Sequence, residues 1–151
     1  YRRTMYTFIK RTVPPPSMLV FDASNRDQCE VRRLKTNTPL QALVMLNDPQ
    51  VLEASRVLSE RTVSKEKDTD SQIRAAFRRI ICREPDADEL NVLRKYYEAG
   101  RTQAGSNPAE AVRLCNSGEY ARIKNLPQDQ VYALMNVIMT IFNLDEAIVK
   151  T

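Results

Sequence analysis

The residues best suited to chemistry lie between positions 22 and 48: Asp22, Arg26, Arg32, Arg33, Asn37, Gln41, Asn47 and Asp48. Two carboxylates among amides and guanidinium groups suit a carbohydrate or small-polyol site. Asp22 and Asp48 would divide acid and base roles, as paired carboxylates do in glycoside hydrolysis. The same residues also suit a purely structural role. Asp48 precedes Pro49 and suits a helix cap, Gln41 suits a capping box, and the arginines suit bracing of loops through carboxylates and carbonyls. The separation of the two carboxylates decides between these readings, and that is a tertiary quantity.

Other chemistry is excluded by composition. The chain contains no histidine. It therefore lacks the Ser-His-Asp triad, the Cys-His dyad, the His-Glu-x-x-His zinc site and Cys-x-x-Cys-His haem attachment. Its three cysteines, Cys29, Cys82 and Cys115, form no Cys-x-x-Cys pair. A zinc ribbon is thus not expected, nor any other metal site. Buried free thiols are the simplest expectation, with a Cys82–Cys115 bridge as the alternative in an oxidising compartment.

The elements that position these residues read as helical. Only three glycines occur in 151 residues, too few for the turns of a sandwich or barrel. Thr38-Pro39 with Gln41 forms a capping box with proline at the first helical position, and Asp48-Pro49 repeats the device. These prolines start helices rather than break them. The helix after Pro49 carries Val51, Leu52, Ala54, Ser55 and Leu58 at helical spacing and runs to about residue 64. A third helix, capped by Thr69 or Asp70, shows a stripe of Ile73, Ala76, Phe77, Ile80 and Ile81. Asp86 and Glu89 box the start of a fourth, which buries Leu90, Leu93 and Tyr97; Gly100 to Gly105 reads as a loop. Asn107-Pro108 opens a fifth helix with Val112 and Cys115 inward and Gly118 closing it. The last helix, from near Pro127, contains "VYALMNVIMTIFNL", is apolar on most sides, and belongs at the centre. Asn136 and Asn143 on it are expected to be satisfied within or beside the bundle. The fold class is all-α: an irregular bundle of five or six helices with an extended, proline-containing N-terminal segment.

That segment, residues 1–37, differs from the helical domain at 38–151. Pro14 to Pro16 favour an extended path. Tyr6, Phe8, Met18, Leu19 and Phe21 are expected to anchor the segment over the body. The net charge of +4 also resides there: residues 1–35 hold eight basic and three acidic side chains, the remainder 15 and 16. A basic segment binds phosphate or docks on an acidic neighbour. Aromatics interleaved with arginines in "YRRTMYTFIKR" suit single-stranded nucleic acid. However, Gln50, Glu53 and Arg56 give the helix after the corner no recognition charge, so nucleic acid is not an expected partner. No apolar run reaches the length of a membrane span. Tyr1 in place of an initiator methionine fits a piece of a longer protein.

The stretch from Arg2 to Pro49 closely resembles a bacterial family catalogued as domain of unknown function 1553, or planctomycete-specific domain one. The resemblance rests on Arg2-Arg3, Tyr6-Thr7-Phe8, Lys10-Arg11-Thr12, Pro14 to Ser17, Phe21-Asp22-Ala23, Arg26, Cys29, Arg32-Arg33, Thr36 to Leu43 and Leu46-Asn47-Asp48. Weaker matches are "AFRRIICREPDADELNVL" and "FNLDEAIVK"; Ile9 and Ala147 stand where the family usually has aromatics. The resemblance implies a large exported parent, periplasmic or at the cell surface. Its N-terminal domain would carry haem, leaving none for this part, and polysaccharide would be its substrate class. Nucleic acid reading does not fit an exported protein. The expected role of this chain is a non-catalytic C-terminal interaction module packed on upstream domains of the parent. The alternative is a carbohydrate-binding or glycoside-processing site around Asp22, Arg26 and Asp48.

Overall fold

The computed structural model describes residues 6–10, 13–24, 31 and 36–148. The described helices are, in chain order, α1 (Pro16–Val20), α2 (Pro39–Asn47), α3 (Pro49–Lys65), α4 (Thr69–Ile81), α5 (Ala87–Ser106), α6 (Pro108–Cys115), α7 (Gln128–Phe142) and α8 (Asp145–Ile148). No strand occurs among the described residues; one isolated antiparallel bridge joins Lys10 and Val13. The fold is all-α, as expected. The chain divides into two units, Tyr1–Val44 and Met45–Thr151.

The proline devices work as the sequence implies. Thr38 N donates to Gln41 Oε1 at 3.1 Å and Gln41 N donates back to Thr38 Oγ1 at 3.3 Å, completing the capping box of α2. Asp48 accepts from Gln50 N at 2.7 Å and from Val51 N at 3.4 Å, capping α3 one residue after α2 ends. Pro16 differs from expectation. It opens the short helix α1, where its fixed φ and missing N–H suit the first position, so the proline segment is not extended throughout. The expected anchors Tyr6, Phe8 and Leu19 are exposed, while Met18 and Phe21 are half-buried.

In the second unit, α7 is the central rod. Val131 to Met135, Val137, Ile138 and Ile141 are buried around its circumference, as an all-round apolar helix requires. It packs against α3, α4, α5, α6 and α8. One core cluster joins Ile73, Phe77, Leu90, Leu93 and Tyr97 to Leu134, Val137, Ile138 and Ile141. A second joins Ala104, Ala111 and Cys115 to Val131 and Tyr132.

Four local expectations need correction. The cap of α4 is Asp68, which accepts from Ser71 N at 3.1 Å; Thr69 and Asp70 lie inside the helix. Gly100 to Gly105 is not a loop but the end of the 20-residue α5. The packing of Tyr97 and Ala104 there outweighs a propensity cost of about 1 kcal/mol per glycine. A Cβ on Gly100 would lie 3.1 Å from Ala133 Cα, so this glycine permits the close approach of α5 to α7. On α6 it is Ala111, with Cys115, that faces inward, and Val112 is exposed. Cys82 and Cys115 are both free thiols, the first exposed and the second buried, so they form no bridge.

Candidate functional site

Asp22 lies in the left-handed region at φ 53°, which aspartate tolerates better than most residues. Its carboxylate holds the residue there by accepting from Thr36 N at 2.8 Å and Thr36 Oγ1 at 2.7 Å. Gln41, almost wholly buried, adds a 3.4 Å contact to the same oxygen and donates to Val20 O at 2.8 Å. These hydrogen bonds, those from Thr36 foremost, hold the Asp22 carboxyl below the usual carboxylate range. Asp22 thus ties α1 to the start of α2 as an ionised acceptor. A general acid needs the opposite, a carboxyl that keeps its proton near neutral pH.

The other carboxylate, Asp48, is the cap of α3. Asn37 is exposed just before α2, and Asn47 is the last residue of α2. Arg26, Arg32 and Arg33 lie outside the described residues, as does Cys29. Asp22, Thr36 and Gln41 are therefore brought together, while Asp48 is engaged in its own helix start.

The most heavily engaged polar cluster is on α3, where the sequence pattern predicts an apolar face. The buried residues of α3 are Glu53, Ser55, Arg56, Ser59, Glu60 and Thr62, whereas Val51, Leu52 and Leu58 are half-buried and Ala54 is exposed. Ser55, Ser59 and Thr62 donate to carbonyls of their own helix, so their hydroxyls are satisfied within it. Arg56, 1% exposed, donates to Ser117 O at 2.8 Å, Tyr120 O at 2.7 Å and Glu60 Oε1 at 3.0 Å. Glu53 accepts from Tyr120 N, and Glu60 accepts from Ile123 N at 3.2 Å. Gly118 sits at φ 86°, and a Cβ there would lie 2.6 Å from Glu53 Cβ, so only glycine fits. The cluster latches the connection between α6 and α7 onto α3. The sequence pattern hides it because alternating charges on a helix ordinarily mark a solvated face. The available signal was the i, i+3, i+7 spacing of Glu53, Arg56 and Glu60 on one side.

A third assembly centres on Arg83. Its guanidinium bonds Glu89 at 2.7 and 2.8 Å and Glu146 at 3.0 Å through two nitrogens. It also lies over the Phe77 ring, 5.0 Å from the centroid. Arg83 lowers Glu89 to about 2 and is itself pushed further up by Glu89 and Glu146. Glu89 also completes the capping box of α5 by accepting from Asp86 N at 2.9 Å while Asp86 Oδ1 accepts from Glu89 N at 2.7 Å. One arginine thereby ties the α4–α5 corner to α8 with planar, two-pronged geometry that lysine lacks. Just past α7, Asn143 donates to Met139 O at 2.9 Å, but its Oδ1 is buried without a hydrogen-bond partner among the described residues, so, contrary to the expectation from sequence, the amide is not fully satisfied there.

The Asp22 and Arg56 clusters bond largely to backbone groups, and the Arg83 cluster to carboxylates of α5 and α8. Residues 1–97 match the family described as PSD1, Protein of unknown function (DUF1553), and the chain belongs to that family. The match includes the Arg83–Glu89 corner and stops short of Glu146. No curated protein matches the chain, and no solved structure does.

Proposed function

We propose that this chain is a non-catalytic interaction module that packs on a neighbouring domain of a larger protein. The observation that carries the reading is where large apolar side chains meet solvent. Within the unit Tyr1–Val44, Tyr6, Phe8, Val13, Leu19, Leu40 and Leu43 are exposed. Scattered exposed leucines are ordinary, but a concentration in one stretch of chain marks a surface that another molecule covers. The same stretch holds the basic excess of residues 1–35, which suits an acidic neighbour. The structural roles of the two carboxylates support this reading: Asp22 binds Thr36, and Asp48 caps α3.

The neighbour in this reading is the preceding domain of an exported parent, periplasmic or at the cell surface, with any haem held by a more distant domain. Limited proteolysis tests it. Residues 1–35 are expected to be cut at least tenfold more slowly in the longer protein that includes the preceding domain than in this chain alone. Equal cleavage rates in the two would refute docking through this segment.

A further inference from the structure

A cleft of about 330 Å³ opens between α3 and α4. It is lined by Arg61, Thr62, Lys65 and Glu66 on one side and by Ala75, Arg78 and Arg79 on the other. Four basic side chains face one acidic one. Two of the cations are held in place. Arg61 donates to Tyr120 Oη at 3.1 Å and stacks over its ring, 5.6 Å from the centroid. Arg78 pairs with Glu84 at 3.3 Å. Lys65 and Arg79 form no ion pair among the described residues, and both are exposed. Thus two guanidinium groups are positioned and two further cations remain available.

From this geometry we infer that the cleft binds a tetrahedral dianion, a phosphate or sulfate group. The guanidinium fork matches such oxyanions with parallel N–H···O bonds, and the ammonium of Lys65 adds a point charge. With Glu66 in the lining and Glu84 paired to Arg78, two of the four cationic charges remain unbalanced, which a dianion matches and a single carboxylate does not. The volume lies at the small end of ligand pockets, enough for the anion with one attached sugar-sized unit.

The test is titration of the full chain with inorganic phosphate, sulfate and a hexose phosphate, each against sodium chloride at matched ionic strength. The readouts are melting temperature and amide chemical shifts. A saturable rise in Tm is expected, with shifts centred on Thr62, Ala75 and Arg79. Lys65→Gln with Arg79→Gln is expected to weaken half-saturation by at least about tenfold, the scale of one lost charge-assisted contact. Tighter binding of the hexose phosphate than of phosphate would identify an ester as the ligand; equal binding would identify the free ion. If phosphate and sulfate raise Tm no more than chloride, or if the double variant responds like the parent chain, the cleft is only a solvated basic face and the proposal fails. Because the shifts are read on the unsubstituted chain, the result does not depend on the variant folding.

Discussion

Replacing Arg56 by methionine keeps most of the side-chain volume but removes a buried cation that hydrogen-bonds three partners and lies 3.9 Å from a fourth, Glu53 Oε1. Glu60 then loses its nearest cation in a site 2% exposed, with Arg122 Nε remaining at 3.6 Å. Breaking a buried pair by removing one partner costs about 3–5 kcal/mol, and the Arg122 contact places this case near 3. The carbonyls of Ser117 and Tyr120 each lose a donor, at about 1 kcal/mol apiece. The sum is about 5 kcal/mol, a large part of the stability of a domain this size. It corresponds to a fall in Tm of roughly 10–20 °C. Adding Glu60→Gln removes one of the two buried carboxylates that faced Arg56, while its side-chain oxygen still accepts from Ile123 N. The double variant is therefore expected to recover about 2 kcal/mol. Urea unfolding of both variants, compared at equal slope, measures the two differences. A single variant that loses less than about 1.5 kcal/mol, or a double variant no more stable than the single, would refute the latch as described.

The Arg83 corner predicts an acid-side loss of stability. Glu89 is depressed in the folded chain from 4.5 to about 2, so its contribution is present above the unfolded value and fades as pH falls from about 5 to 2. Because Glu89 is 30% exposed, the loss is on the order of 1–2 kcal/mol, and Arg83→Met should remove most of this pH dependence, leaving the part due to Asp86 N, in urea titrations run across that window. The two helical glycines of α5 should respond oppositely to alanine. Gly105, where an added methyl would meet nothing within 4 Å, should gain about 0.5–1 kcal/mol, whereas Gly100 should lose about 1 kcal/mol through its contact with Ala133, both read from thermal melts. Burial pushes the Cys115 thiol up, and Cys82 is exposed. Iodoacetamide followed by peptide mapping should therefore label Cys82 in the native chain and Cys115 only on unfolding; equal labelling rates would contradict the burial.

The starts of α2, α3, α5 and α6 were legible because capping is local, whereas α1 and the Asp68 cap of α4 were not. Thr38, Asp48, Asp86 and Asn107 each act within three residues of a proline or an acidic partner. The central position of α7 was legible because an all-round apolar helix has only one stable place. The end of α5 was not, since two glycines read as a loop unless a neighbouring backbone is known to press against one of them. The buried face of α3 was not legible either. Glu53, Arg56 and Glu60 look like surface charge until the chain about 60 residues later supplies carbonyls and amides to meet them. Of the candidate site, the capping roles of Gln41 and Asp48 were local and readable, while the hold of Thr36 on Asp22 spans 14 residues.

The sequence by itself determined the helical class, the beginnings of α2, α3, α5 and α6 and the identity of the core rod, because each follows from periodicity and hydrogen bonding over a few residues. Tertiary structure alone decided which charges are buried, that Arg83 joins the α4–α5 corner to α8, and that four cations meet in one cleft. Those outcomes depend on groups far apart in the chain, and whether a charge is paired or solvated is settled only when its distant partners arrive.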